Sequence, residues 1–281
     1  MRQQFFLFAS LAGALVLSAC AEKDDTVERA FQEVNVIDES NLNDVMLSVA
    51  DPNEAVAHFQ RTIKNSPDRI ELHRGLAHSL IRAKRNTEGT AAWKKVVSMK
   101  GATSEDRVQL AGALVRSGEW EAAKTQLDQV PPTHETYERY RLEAVVADAG
   151  KDWKRADSFY EIAVGLTTRP AKVMNNWGYS KLTRGDFAGA ERLFGEAIRQ
   201  DQTLFTAKNN LVLARGAQRN YTLPVIPLEQ TERALLLHTL ALSAIKQGDV
   251  KTGEGLLREA IETHPQHFEE ASRSLAALEN G

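Results

Sequence analysis

The stretch from Ala171 to Leu204 reads AKVMNNWGYSKLTRGDFAGAERLFGEAIRQDQTL. Its apolar residues recur with helical spacing in two runs, and a short turn at Arg184, Gly185 and Asp186 separates them. Small and aromatic residues occupy defined places in the stretch: Gly178, Gly185, Phe187, Ala190, Phe194 and Ala197. Small residues allow two antiparallel helices to approach closely, and an aromatic ring fills the space toward the next element. The stretch therefore predicts a helix–turn–helix unit that can stack on similar units.

The same pattern recurs along the chain. Units begin near residues 36, 70, 104, 137 and 171, so that successive starts differ by 34, 34, 33 and 34 residues. We predict an all-α solenoid of about six helix–turn–helix repeats that ends in a capping helix. The predicted units are residues 36–69, 70–103, 104–136, 137–170, 171–204, an irregular unit at 205–233, a last unit at 234–267 and the capping helix at 268–280.

The pattern fails inside the irregular unit. Phe205 to Gln218 has the spacing of another first helix, but Tyr221 to Leu228 contains two prolines and β-branched residues where a second helix should follow. Proline removes a backbone donor and restricts the residue before it, so this segment is predicted to be extended. Two interpretations are open. The segment is either a buried connector that replaces the helix, which we favour, or an arm that docks on a partner.

Aromatic residues at the repeat positions are predicted to belong to the core. They are Trp93, Trp120, Trp153, Phe187 and Phe194, together with Trp177 in the fifth unit.

The N-terminus has the form of an export signal. Met1 to Gln4 carries one positive charge, Phe5 to Val16 is apolar or small, and Leu17 to Cys20 supplies a small-residue cleavage site. A basic start, a short apolar run and such a site predict a secretory signal peptide over residues 1–19. The apolar run is too short for a membrane-spanning helix.

The ending Leu17, Ser18, Ala19, Cys20 resembles the lipobox of bacterial lipoproteins. The resemblance implies cleavage before Cys20 and lipid on its sulfur and on the new amino terminus. Alanine at position 21, rather than aspartate, implies the outer membrane, with the protein facing the periplasm. Residues 20–35 would be the lipidated N-terminus and a polar tether. The alternative is an ordinary signal peptide with a chance cysteine.

Composition and motifs argue against several functions. The formal net charge of −3 does not favour nucleic acid as a partner, because phosphate binding needs clustered Lys and Arg. The one cysteine cannot form an internal disulfide. No motif for zinc hydrolysis, phosphate cradling, dinucleotide binding or a nucleophile elbow occurs. We therefore expect no enzyme, no metal site and no cofactor, and we expect His264 and His267 to face solvent.

In a stack of helix pairs, the first helix of each pair lines the groove. Helical spacing sends positions 5, 9 and 12 of that helix toward the groove and positions 7, 8 and 11 inward. The resulting candidates for a peptide-binding groove are Arg74, His78, Arg141, Asn175, Tyr179, Asn209 and Leu213. Asparagine can pair with the backbone of an extended peptide. For Asn175 and Asn209, peptide binding and hydrogen bonding between helices are equally open interpretations. Asn176 and Asn210 are expected to form hydrogen bonds with neighbouring helices.

The units resemble the tetratricopeptide repeat (TPR), with NNWGYSKLTRGDFAGAERLFGEAI as the most typical segment. With the lipobox, the chain resembles the TadD-type lipoproteins of tight-adherence (Flp) pilus assembly systems. The resemblance implies a non-enzymatic, outer-membrane-associated scaffold that supports assembly of a pilus or secretion machine, with secretin or pilus-assembly components as partners. Alternatives are a component of outer-membrane β-barrel assembly and a periplasmic adaptor for peptidoglycan enzymes. The residues leave the oligomeric state open.

Overall fold

The computed structural model describes residues 42–279. The predicted signal peptide, Cys20 and the tether lie outside these residues and stay predictions. The described chain is helical and contains no strand. Its helices are α1 (residues 42–48), α2 (Pro52–Asn65), α3 (Ile70–Arg82), α4 (Asn86–Ser98), α5 (Ser104–Arg116), α6 (Trp120–Leu127), α7 (Tyr137–Ala149), α8 (Trp153–Gly165), α9 (Ala171–Thr183), α10 (Phe187–Gln200), α11 (Phe205–Ala217), α12 (Gln230–Lys246), α13 (Val250–Thr263) and α14 (Glu269–Glu279). Within residues 42–279, no helix combines the length and apolarity that a membrane crossing requires.

Consecutive helices pack as antiparallel pairs, and the pairs stack in chain order. The pairs are α3/α4, α5/α6, α7/α8, α9/α10 and α12/α13, and α14 packs against α13. The first helices α3, α5, α7, α9 and α11 begin 34, 33, 34 and 34 residues apart. The predicted all-α solenoid of helix–turn–helix repeats with a C-terminal helix is therefore confirmed.

A left-handed backbone residue follows the first helix of these units. The residues with this conformation are Lys84, Gly118, Lys151, Gly185, Arg219 and Gly248. Glycine reaches it without steric cost, as at Gly185 with φ of 85°. Arg219, with φ of 61°, repeats the turn after α11 although no second helix follows. The chain thus leaves α11 as it leaves the other first helices, and only then departs from the repeat.

At two places an aromatic ring lies on a glycine of the neighbouring helix. A Cβ atom at Gly178 of α9 would stand 2.7 Å from Cε1 of Phe194 on α10, closer than side chains tolerate. Gly75 of α3 bears the same relation to Phe59 of α2. Phe194 and Phe59 are both almost completely buried. The absence of a side chain at these glycines is what allows the two helices to pack at this distance.

The prediction that all repeat aromatics belong to the core is correct only in part. Trp93 and Phe194 are buried, whereas Trp153, Phe187 and Trp177 are half-buried. Trp120 is 40% exposed, so its placement in the core was wrong. Trp120, Trp153 and Phe187 are each the first residue of a second helix. The first residue of a second helix lies at the edge of a pair. A ring there packs against the pair with one face, and its other face stays open.

The extended segment, residues 218–229, occupies the place of the missing second helix. The side chains of Leu223, Ile226 and Leu228 pack against the buried clusters of α10 to α14, while Val225 points fully into solvent. The Tyr221 hydroxyl donates a 2.6 Å hydrogen bond to Asp249, which fixes the start of the segment on the next pair. These contacts favour the connector interpretation over a docking arm.

A buried ion pair joins α11 to α12. The ammonium of Lys208 lies 2.7 Å from Oε2 of Glu232, and the Lys208 side chain is only 4% exposed. The same carboxylate accepts the backbone N–H of Glu229 at the start of α12. Although burial raises the pKa of Glu232, the hydrogen bonds from Lys208 and Glu229 hold it below its ordinary value. The pair therefore fixes α12 against α11 without an intervening helix.

Gly178→Ala should destabilise the protein, because the new Cβ collides with the Phe194 ring. We expect a loss of about 1–3 kcal/mol in the free energy of unfolding, the usual cost of overpacking a core. Gly195→Ala in α10 is the matched control, since its Cβ would meet only the mobile end of Arg199, at 3.7 Å. The control should gain roughly 0.5–1 kcal/mol from helix propensity. Chemical denaturation followed by circular dichroism measures both, and equal effects would contradict the packing role of Gly178.

Candidate functional site

The first helices α7, α9 and α11 enclose two adjoining cavities of about 590 and 520 Å³. Asn175, Asn176 and Thr206 line both cavities, so the two form one continuous depression, which we call the groove. The larger cavity lies along the middle and C-terminal parts of α7 and α9, and the smaller one lies at their N-terminal ends. The groove is therefore built by three successive repeats.

Aromatic rings form the walls of the larger cavity. Trp120, Trp153 and Tyr179 all line it, and Tyr179 is 54% exposed although it follows a buried glycine on α9. Tyrosine and tryptophan combine a large apolar face with a polar end. Rings in such a position can contact the apolar parts of a protein segment.

A hydrogen-bonded carboxylate lies in the same cavity. Asp148 accepts a 2.6 Å bond from the Ser180 hydroxyl and a 2.9 Å bond from the Tyr160 hydroxyl. Burial raises the pKa of Asp148 above its ordinary value, although both hydrogen bonds oppose the shift. Burial and the neighbouring Asp148 also raise the pKa of Tyr160, so its hydroxyl remains a donor. The arrangement joins α7, α8 and α9 and holds this end of the groove rigid.

The smaller cavity carries an excess of positive charge. Arg116, Arg141 and Lys172 line it with a single carboxylate, Glu138. Arg141 is bound by that carboxylate through bonds of 2.9 and 2.6 Å. Within the described part of the chain, Arg116 and Lys172 form no ion pair. This end of the groove therefore suits a negatively charged group of a partner.

Three of the predicted groove residues lie in the groove: Arg141, Asn175 and Tyr179. Asn175 is 8% exposed, and its Oδ1 accepts a 3.0 Å bond from Nδ2 of Asn210 on the next first helix. Asn210 therefore bonds a neighbouring helix, as expected. Asn176 does not, since it lines both cavities and its side chain forms no hydrogen bond with any residue that the structure describes. That expectation for Asn176 was wrong.

The other four predicted residues lie outside the groove. Arg74 forms two 2.7 Å bonds to Asp106 and so joins α3 to α5. Exposed His78 packs its ring edge-on against Trp93, with centroids 4.8 Å apart. Asn209 accepts a 2.8 Å bond from the Thr239 hydroxyl of α12, and Leu213 is half-buried. Position 5 of a first helix thus often faces the next first helix rather than open space. For each of the seven residues, a role in peptide binding stays a prediction.

Several groove residues escaped the sequence reasoning. They are Arg116, Trp120, Glu138, Asp148, Trp153, Lys172, Asn176, Ser180 and Thr206. Lys172 and Asn176 lie one turn apart, on the same helix face as Asn175 and Tyr179. Including positions 2 and 6 of each unit among the candidates would therefore have identified Lys172 and Asn176. Trp120 and Trp153 come from second helices and could not be found from first-helix spacing.

The remaining polar clusters do not form a metal centre. Within residues 42–279, no group of three or more His, Cys, Asp or Glu side chains is arranged to hold a metal ion. The ring of His267 lies 3.0 Å from Glu269 and is largely exposed, and His264 bonds the backbone of Gln266 at 2.9 Å. These two histidines belong to the turn between α13 and α14.

No protein-family model and no curated protein matches the chain. Solved structures do share its fold. The chain is similar to PilW, a type IV pilus biogenesis factor, with a TM-score of 0.59 and 13% identity over 84% of this chain and 96% of that one. It is similar to the C-terminal part of a TPR protein from Cytophaga hutchinsonii, with a TM-score of 0.56 and 13% identity over 84% and 98% of the two chains.

A structure of the Cut9–Hcn1 complex of the APC/C matches with a TM-score of 0.59 and 12% identity over 84% of this chain. The chain spans only 48% of the length of that neighbour. At such identities the likeness concerns the fold alone. It shows that the solenoid is a TPR solenoid, as the sequence pattern predicts.

The structural role of the hydrogen bond between Asn175 and Asn210 can be measured by substitution. Asn210→Leu should cost about 1–3 kcal/mol of unfolding free energy, because Oδ1 of Asn175 loses its donor in a buried site. Changing both residues to leucine should recover most of that loss, since no polar group then stays unpaired. Urea denaturation of the two single variants and the double variant measures the coupling. A double variant as unstable as the sum of the single variants would contradict the inter-helix role.

Proposed function

We propose that the protein is a non-enzymatic interaction scaffold whose groove binds a segment of another protein. The observation that carries the proposal is the continuous groove across α7, α9 and α11, with exposed aromatic rings at one end and unpaired cations at the other. Such a combination of apolar anchors and a few charged groups is typical of binding sites. The unpaired amide of Asn176 can bond the backbone of an extended segment.

We further propose that the scaffold acts in the cell envelope and supports assembly of a pilus or secretion machine. The lipobox at Cys20 supports lipid anchoring, and Ala21 supports the outer membrane with the solenoid in the periplasm. Two or more acyl chains give stable membrane anchoring. The TadD-type resemblance and the fold likeness to PilW, a pilus biogenesis factor, support the pilus role. Secretin or pilus-assembly components are the proposed partners.

The alternatives are β-barrel assembly in the outer membrane and a periplasmic adaptor for peptidoglycan enzymes. Both are compatible with the same groove and the same anchor. Identification of the protein bound in the groove therefore separates them from the pilus role.

A photo-crosslinking side chain, p-benzoylphenylalanine, placed at Tyr179 should capture the partner in intact cells. The same side chain at Ile162 on α8 is the control, because Ile162 is an exposed apolar residue outside the groove. We expect an adduct at position 179 alone and its identification by mass spectrometry as secretin or a pilus-assembly component. Recovery of barrel-assembly proteins would contradict the pilus role, and adducts of equal yield at both positions would contradict the groove.

Cys20→Ser should abolish lipid attachment, because serine cannot form the thioether. We expect the variant to remain unprocessed or to appear in the soluble periplasmic fraction, whereas the parent protein sediments with outer membranes. Fractionation and metabolic labelling with a radioactive fatty acid measure this. Normal processing and membrane retention of the variant would show that Cys20 is not the anchor.

A further inference from the structure

A third cavity, of about 620 Å³, lies at the edge of the solenoid, where α6 and α8 begin and α7 ends. We call it the notch. It is bounded by the turns at Gly118 and Gly150 and by the side of α7 that faces away from the groove. Trp120 and Ala149 line both the notch and the larger groove cavity, so the two are neighbours around the end of α7.

The notch contains a buried carboxylate that lacks hydrogen bonds. The Glu143 side chain is 8% exposed. Within residues 42–279, it accepts no hydrogen bond, but it forms two long ion pairs, with Nε of Arg139 and with Nη2 of Arg155, each at 3.7 Å. Nε of Arg139 is itself buried without a hydrogen-bond partner. Buried carboxylates are normally satisfied by short charge-assisted bonds, so Glu143 has unused acceptor capacity facing a cavity.

A comparison of the repeats shows that this carboxylate replaces an apolar residue. Glu143 is the seventh residue of α7, a position that packs inward. The seventh residues of the other first helices are Leu76, Leu110, Trp177 and Leu211. Burial raises the pKa of Glu143, although the two arginines oppose the shift. A charge at a packing position is unfavourable for the fold, and such departures concentrate at functional sites.

The surroundings of Glu143 suit a cation with an apolar stem. Four carboxylates line the notch, from Glu119, Glu121, Glu143 and Asp152, against two cations, Lys124 and Arg155. Lys124 is already bound to Asp128 at 2.7 Å, and Glu119 is paired with Lys94 at 3.5 Å. The exposed indole of Trp120 forms a wall of the same cavity. Tryptophan attracts cations to its face and also packs against methylene groups.

We propose that the notch binds a lysine or arginine side chain of a partner protein, with the cationic group on Glu143 and the stem on Trp120. The proposal extends the proposed scaffold function, because a segment in the groove reaches the notch by passing Trp120. The described carboxylates are not arranged to hold a metal ion, which argues against a divalent cation as the occupant. The notch would then select partners that carry a basic residue, which the groove alone does not recognise.

The test uses the full chain in detergent, labelled with 5-fluorotryptophan, and observes the fluorine resonance of Trp120. Loss of that resonance in Trp120→Phe assigns it among the four tryptophans. The probes are the tripeptides acetyl-Ala-Lys-Ala-amide and acetyl-Ala-norleucine-Ala-amide, which differ only in the terminal ammonium group of the lysine side chain. We expect a saturable shift with the lysine peptide and a much smaller one with norleucine. Glu143→Gln should weaken lysine binding at least about tenfold.

Glu161→Gln is the control, because it removes the same charge from an exposed site on α8 outside the notch. It should leave lysine binding unchanged. Equal binding of the two peptides, or unchanged binding in Glu143→Gln, would overturn the proposal. A shift with spermidine but not with the lysine peptide would also overturn it in favour of a small polyamine.

A thermal melt checks that Glu143→Gln is folded. Should that variant unfold, Trp120→Leu decides, since the exposed Trp120 side chain is not part of the buried core. Because this variant lacks the reporting ring, its binding of the lysine peptide is compared with that of the parent protein by isothermal titration calorimetry. Loss of lysine binding in Trp120→Leu supports the notch, and unchanged binding overturns it. Failure here is distinguishable from failure of the scaffold function, because photo-capture at Tyr179 reports on the groove alone.

Discussion

The solenoid depends on the close approach of neighbouring helices at glycines, where a large side chain of one helix lies on a glycine of the other. Phe194 of α10 lies directly on Gly178 of α9, and Phe59 of α2 lies on Gly75 of α3. Ile245 of α12 likewise lies on Gly253 of α13, so these helices approach more closely than a side chain at the glycine would permit. Close, uniform pairs present similar surfaces on both sides, and such surfaces can stack repeatedly. The groove follows from this stacking, because the first helices of successive pairs are brought side by side. Its floor is thus a consequence of pair packing rather than a separately built pocket.

The irregular unit shows which parts of a repeat are indispensable. After α11 the chain makes the left-handed turn at Arg219 and then remains extended, yet the stack continues through α12. Three apolar side chains of the segment replace part of the buried surface of a helix, and the pair Lys208–Glu232 fixes the next helix. A buried ion pair gains little net free energy, because desolvation offsets the Coulomb attraction, but it is strongly directional. It therefore specifies how α12 docks more than it adds stability.

The fold could be predicted from the sequence because its determinants are local and periodic. Gly178, Gly185 and Phe194 reveal a unit whose spacing survives in neighbours that lack one or more of these residues. The groove was predicted less completely. Helical spacing shows which residues share one face of a helix, but it does not show which neighbouring helix that face meets. Arg74 and Asn209 lie on the predicted face, yet each meets the next first helix. Trp120 is exposed because it lies at the edge of the stack, and the pattern of a single repeat does not show which residues lie at that edge.

These polar contacts between first helices bear directly on how the groove can bind. Arg74 bonds Asp106, Asn175 bonds Asn210, and Asn209 bonds Thr239, so three contacts between neighbouring first helices use the fifth residue of a unit. Each bond restricts sliding and rotation of one first helix against the next, and the bond between Asn175 and Asn210 joins α9 to α11, which line both cavities. A preformed groove avoids the entropic cost of ordering its walls when a partner binds. The position 5 residues therefore link first helices to one another, so a residue can lie on the groove-forming face while its side chain is used within the stack.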